Sequence, residues 1–127
     1  MYPLPRLATN PEGHKMILLV CGGRAFNDYA KLSEAMRLLP FTPSLIVEGG
    51  ARGADSLARG WAVENGVHYA EVPALWVNFD KAAGGLRNSA MLLLRPDYCL
   101  AMPGGSGTRD MVNKCTKANI TVWEPYT

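Results

Sequence analysis

The sequence predicts an α/β fold, a Rossmann-like three-layer sandwich around a mostly parallel five-stranded sheet with the first strand central. Three observations carry that prediction. Short apolar runs alternate with amphipathic stretches of helical length, three of the strand ends open into glycine-rich junctions, and the composition is 48% hydrophobic and 19% charged, as in globular domains. Strands alternating with crossover helices imply right-handed βαβ units and helices on both sheet faces. At 127 residues the chain has room for one core, so residues 16–127 read as a single domain. Residues 1–15, which carry Pro3, Pro5 and Pro11, read as an irregular N-terminal arm.

Each element has its own signal. Residues 16–21 are an unbroken apolar run ended by Gly22 and Gly23, the pattern of a strand buried on both faces. Asp28 is placed to cap a helix running to about Leu39, with Leu32, Ala35, Met36 and Leu39 on one face and Pro40 and Pro43 beyond it. Residues 44–47 form the second strand. The next helix buries Ala54, Leu57, Ala58, Trp61 and Ala62 and stops at Asn65 and Gly66. Residues 67–72 are the third strand, followed by a connection with Trp76 and Phe79. A helix over 81–95 comes next, its first turn weakened or its start displaced by Gly84 and Gly85. Residues 98–102, 105–119 and 120–123 complete the pattern as strand, helix and strand.

Composition excludes several function classes. The net charge is +2 and no run of Lys and Arg forms the stripe of a dedicated DNA-binding domain. No apolar stretch approaches the roughly 20 residues of a membrane span, and the N-terminus lacks the apolar core of a secretory signal, so the expected location is the cytoplasm. Cys21, Cys99 and Cys115 are odd in number and widely spaced, which suggests reduced, buried thiols rather than disulfides or a zinc site. His14 and His68 stand alone, and no carboxylate cluster suits Mg²⁺, so neither a metal nor a cofactor is expected. Met91, Met102 and Met111 read as core or interface residues.

The chemistry concentrates after the strands. Gly22, Gly23 and Arg24 follow the first strand; Gly49, Gly50, Ala51, Arg52, Gly53, Ala54 and Asp55 follow the second; Pro103, Gly104, Gly105, Ser106, Gly107 and Thr108 follow the fourth. Glycine lets backbone N–H groups approach an anion, and the helix that follows adds partial positive charge, so these junctions are candidate phosphate sites. They lack the Lys-Ser/Thr of a Walker loop and the full G-x-G-x-x-G of dinucleotide folds, which disfavours ATP hydrolysis and hydride transfer. In open α/β sheets ligands bind at the carboxyl ends of the strands, where the winding reverses.

Three motifs resemble a known group. The segment from Gly49 to Asp55 continued by Leu57 and Ala58, then Ala83, Gly84, Arg87, Asn88 and Met91, then Pro103, Gly104, Gly105, Gly107 and Thr108 are similar to the SLOG superfamily, specifically its small YspA-like branch common in bacteria and phages. The resemblance implies a Rossmann-like domain that binds a nucleotide or nucleotide-derived ligand as a sensing or sequestering module. The superfamily also contains the Lonely Guy phosphoribohydrolases, which cleave the N-glycosidic bond of nucleoside 5′-monophosphates, and DNA-processing A proteins, which bind single-stranded DNA. Fold alone does not choose among these three activities.

By the same resemblance, Asp110 stands where the hydrolases carry a catalytic Glu two residues past the Thr, one methylene shorter. Placed in a first helical turn, its pKa is expected to be drawn down by the helix dipole, which suits an electrostatic stabiliser or base. Arg87 corresponds to the hydrolase Arg that contacts phosphate and ribose, making Arg87 and Asp110 the candidate catalytic pair. Asn88 replaces the Lys that many hydrolases carry beside that Arg, removing a charge. Arg24 and Arg52 are further phosphate candidates, Lys81 a weaker one, and Trp76 is a candidate for stacking on a base or for lid packing. The apolar residues 90–94 exceed what one core-facing helix side needs and suggest a homodimer or higher homo-oligomer.

Overall fold

A computed structural model describes residues 15–126; the rest of the expected arm, including His14, and Thr127 lie outside the described residues. Five strands, β1 (Ile17–Cys21), β2 (Leu45–Glu48), β3 (His68–Glu71), β4 (Tyr98–Ala101) and β5 (Thr121–Trp123), form one sheet in the order β3-β2-β1-β4-β5. All strand pairs are parallel, with Leu18 opposite Ile46 on one side and Tyr98 on the other. The first strand is central, as its unbroken apolar run predicts.

The helices α1 (Tyr29–Leu38) and α2 (Ala54–Glu64) cover one face. There Leu32, Ala35, Met36, Ala54, Ala58 and Ala62 pack on Leu18, Val20, Ile46, Tyr98 and Leu100. The other face carries α4 (Ala83–Leu92) and α5 (Ser106–Lys117), whose Met91, Met111, Val112 and Cys115 meet Leu19, Cys21, Val47 and Cys99. The alternation of β1 between the two clusters follows from the period of two along a strand. Burying both sides supplies the main drive to fold, at about 25 cal/mol per Å² of apolar surface.

Local signals behave as the residues dictate. The Asp28 carboxylate accepts the Lys31 N–H at 3.1 Å and caps α1, while Gly66 takes φ +66° beyond the end of α2. Met102 is buried with Met91 and Met111, and the three cysteines are buried free thiols.

The structure differs from expectation in three places. The helix expected over 81–95 is confined to Ala83–Leu92, because a 3₁₀ turn over Asp80–Ala82 precedes it and Arg95 leaves at φ +53°. The connection before it holds one helical turn, α3 (Trp76–Phe79). The strand β3 is a largely exposed edge rather than a strand covered on both faces.

Candidate functional site

The winding reverses between β1 and β4, so the loops after these two strands flank a crevice at the carboxyl edge of the sheet. Glycine brings those loops together. The Gly23 N–H donates to Pro103 O at 2.8 Å, and the Ala54 N–H donates to Gly23 O at 3.2 Å, which ties the junctions after β1, β2 and β4 into one unit. A Cβ on Gly104 would come 2.6 Å from Gly23 N and 2.1 Å from Thr108 Oγ1. One on Gly53, whose φ is +79°, would come 2.2 Å from Gly23 O. These glycines permit backbone contact, whereas Cβ atoms on Gly105 and Gly107 would meet open space.

That open space is a cavity of about 570 Å³. One wall is the start of α5, where Gly105 is the N-cap residue and no side chain caps the helix. The first helical bond there runs from Arg109 N–H to Gly105 O at 3.0 Å, so the amides of Ser106, Gly107 and Thr108 precede any intrahelical acceptor. Amides of this kind, with the helix dipole behind them, make this a candidate anion site. Arg24, Trp76, Lys81 and Arg87 also line the cavity, with the Arg24 guanidinium 5.3 Å from the Trp76 ring centroid.

Arg87 is held in place by acceptors on two sides. Its Nη1 donates to Gly49 O at 2.6 Å and its Nε donates to Asn88 Oδ1 at 3.0 Å. Asn88 is buried, and its Nδ2 donates to Asp110 Oδ2 at 3.0 Å and to Gly107 O at 3.2 Å. Lys114 Nζ approaches the same Asp110 oxygen at 2.8 Å and Gly85 O at 2.9 Å. Burial alone would raise the Asp110 carboxyl, but the hydrogen bonds from Lys114 and Asn88 outweigh it and hold it below the ordinary carboxylate range.

The direction of that shift is the expected one, and its cause is different. Because α5 begins at Ser106, Asp110 lies past the first turn, where the dipole has faded. Lys114, one turn further on, supplies the charge. It also restores a cation to the region where Asn88 replaces a Lys. Sequence reading missed Lys114, although its i,i+4 spacing from Asp110 was the available signal.

The junction after β2 plays another part. The buried Asp55 carboxylate accepts the N–H groups of Gly49 and Ala51, both at 3.2 Å, and Glu48 Oε1 accepts that of Gly50 at 2.6 Å. Burial pushes Asp55 up against the pull of the Ala51 amide, Arg87 and the Gly49 amide. These loop amides are therefore engaged by carboxylates. Of the candidates read from the sequence, Gly22, Gly23, Arg24, Asp55, Trp76, Lys81, Arg87, Asn88, Gly105, Ser106, Gly107, Thr108 and Asp110 line the cavity. Gly49, Gly50, Arg52, Gly53, Pro103 and Gly104 are not among its lining residues; Gly53, Pro103 and Gly104 lie behind Gly23, and Arg52 is exposed. Among the described residues, no group of three His, Cys, Asp or Glu side chains is placed to hold a metal ion, and no helix is long and apolar enough to cross a membrane.

An all-parallel sheet with its central strand first, and a cation-lined cavity at the switch point, define a Rossmann-like α/β domain with a candidate anion site. The chain belongs to the YspA, cpYpsA-related SLOG family, whose sequence model matches residues 16–79, the part that includes the first two glycine junctions. It is 34% identical over 120 residues to the Gene 61 protein of Mycobacterium phage D29, an alignment covering 83% of this chain and 92% of the phage protein. No solved structure matches the chain. Family membership points to binding or processing of a nucleotide-related ligand.

Proposed function

We propose that the protein binds a nucleotide or nucleotide-derived ligand as a sensing or sequestering module, with the phosphate end against the amides of Ser106, Gly107 and Thr108. The observation that carries this reading is that the start of α5, without a side-chain cap, lines one cavity together with Arg24 and Arg87. Backbone amides select an anion, and guanidinium groups add charge-assisted hydrogen bonds of about 1.5–3 kcal/mol each. The half-exposed Trp76, which lines the cavity, offers a surface for a base. The engagement of Asp110 by both Asn88 and Lys114 favours binding over turnover, since this carboxylate is already committed to organising the site. Native mass spectrometry of the purified protein tests the reading by revealing what copurifies, and calorimetry with the common nucleoside 5′-monophosphates measures affinity. Failure of every nucleotide and of inorganic phosphate to bind would end it.

A second reading is favoured by one observation, that Asp110 is held ionised on the cavity wall and linked through Asn88 to Arg87. In a phosphoribohydrolase, water adds at C1′, the N-glycosidic bond breaks, and free base and ribose 5-phosphate leave. A fixed carboxylate stabilises the oxocarbenium-like charge on the ribose. Release of free base from a nucleoside 5′-monophosphate separates the two readings directly.

The exposed apolar side chains of Leu86 and Leu93, 49% and 81% exposed on and just after α4, support self-association through this helix. Sedimentation velocity of the wild type and of Leu93→Lys tests it, with loss of a dimer in the variant as the expected result.

A further inference from the structure

Glu48 ends the apolar strand β2 and is fully buried, an uncommon position for a carboxyl group. Its Oε1 accepts the Gly50 N–H at 2.6 Å, while its Oε2 is buried and no hydrogen-bond partner reaches it among the described residues. The register places Glu71 of β3 directly beside it, and the Glu71 side chain lies over Gly50, where a Cβ would come 3.0 Å from Glu71 Cγ. A buried carboxyl beside a second one, with an oxygen that nothing donates to, is favoured in its neutral form. Arg59 of α2 lies 3.4 Å from Glu71 Oε1, so Glu71 has a cation beside it, whereas nothing among the described residues donates to Glu48 Oε2.

The remaining charged groups about Glu48 act through the same turn. Asp55 of α2 accepts the amides of Gly49 and Ala51, and Arg87 of α4 donates to the Gly49 carbonyl. Glu48, through Gly50, therefore fixes the turn whose carbonyl holds Arg87. We propose that Glu48 is a positioning residue: protonated, it lets the Gly49–Gly50 turn sit closed between Glu71 and Asp55 and so holds Arg87 toward the anion seat, and loss of the proton sets a buried charge beside those two carboxylates and loosens that hold. This regulation rests on the binding reading for its effect on ligand, but the coupling between Glu48 and Arg87 exists without one.

Burial, reinforced by Glu71 and Asp55 against the pull of the Gly50 amide, pushes the Glu48 carboxyl up to about 8. The locked form then occupies nearly all molecules at pH 7 and about a tenth at pH 9, so apparent affinity falls in proportion, by about tenfold. Ribose 5-phosphate, whose phosphate is mostly dianionic across this range, is the probe. Titrated by calorimetry from pH 7 to pH 9, the wild type should weaken about tenfold. Glu48→Gln, which preserves an acceptor for Gly50 and stays uncharged, should match the wild type at pH 7 and hold that affinity at pH 9. Equal weakening of both proteins, or a flat wild-type profile, overturns the proposal.

A ligand-free readout separates this inference from the binding reading. In labelled wild-type protein the Arg87 Nε–H resonance should shift with the same midpoint as the Glu48 side-chain carboxyl. If ribose 5-phosphate binds at no pH while Arg87 follows Glu48, the positioning stands and the binding reading falls. If Arg87 is indifferent to the Glu48 titration, the positioning role is overturned whatever the ligand does.

Discussion

Asn88 Nδ2 donates to Asp110 Oδ2 at 3.0 Å while Asn88 Oδ1 accepts from Arg87 Nε at 3.0 Å. One buried amide thus joins the proposed phosphate-holding arginine on α4 to the Asp110 carboxylate on α5. Side chains that share a partner in this way respond to substitution as a unit.

For that reason Asn88→Leu should weaken ribose 5-phosphate binding although Asn88 carries no charge. Its effect and that of Arg87→Ala should not add. The pair should show a coupling of about 0.5–3 kcal/mol in a double-mutant cycle measured by calorimetry. Strictly additive losses would mean that Arg87 is positioned without Asn88.

Asp110→Asn preserves shape and removes the negative charge facing an anion. Affinity for a nucleoside 5′-monophosphate should hold or improve, and any base release by the wild type should collapse. Arg87→Ala should instead lose roughly 10- to 150-fold in affinity, the equivalent of one charge-assisted contact. An Asp110→Asn variant that still releases base at the wild-type rate would remove this carboxylate from any mechanism.

Lys114→Met withdraws the principal donor to Asp110 and leaves the burial that raises it. The Asp110 carboxyl should therefore titrate at higher pH in the variant, which a carbon-detected NMR titration reads. The sign carries through to stability. A carboxyl depressed in the folded state stabilises above its unfolded pKa, and that contribution is lost as pH falls through the folded value. Acid unfolding of Lys114→Met should accordingly start from a lower stability and show a shallower loss below about pH 4.

The glycines divide into two sets that stability measurements should separate. Gly104→Ala forces a Cβ against Gly23 N and the Thr108 side chain and should cost about 1–3 kcal/mol in urea unfolding. Gly107→Ala meets open space within α5 and should be neutral or stabilise by up to about 1 kcal/mol.

Glu48 gives a stability signature opposite to that of Asp110. Its folded pKa of about 8 lies above the ordinary Glu value, so the folded state holds a proton that the unfolded chain has released. Between about pH 4.5 and pH 8 wild-type stability should fall by up to about 1.4 kcal/mol per pH unit from this group, with no further loss above pH 8. Glu48→Gln should lack that component of the slope, as urea unfolding at several pH values would show.

Much of the scaffold was legible because its signals are local. The apolar run of β1, the Asp28 cap and the glycine junctions each specify their own stretch of chain, and the alternation of strand and helix fixes the layers. What sequence reading did not supply depends on contacts between elements. All three glycine junctions read as candidate phosphate sites, yet Asp55 and Glu48 occupy the amides after β2, and only packing reveals that. Lys114 and Glu48 acquire their roles from Asp110 and Glu71 on turns and strands beyond the motifs. The exposure of β3 was hidden because a run of mixed residues does not reveal whether a strand lies at the sheet edge.

The central claim, a phosphate seat at the start of α5 completed by Arg87, is tested most directly by titrating ¹⁵N-labelled protein with ribose 5-phosphate and following every backbone amide and the Arg87 Nε–H. The amides of Ser106, Gly107 and Thr108 and the Arg87 side chain should shift together along one saturable curve. Saturable shifts confined to other parts of the molecule, with these four signals unmoved, would contradict it.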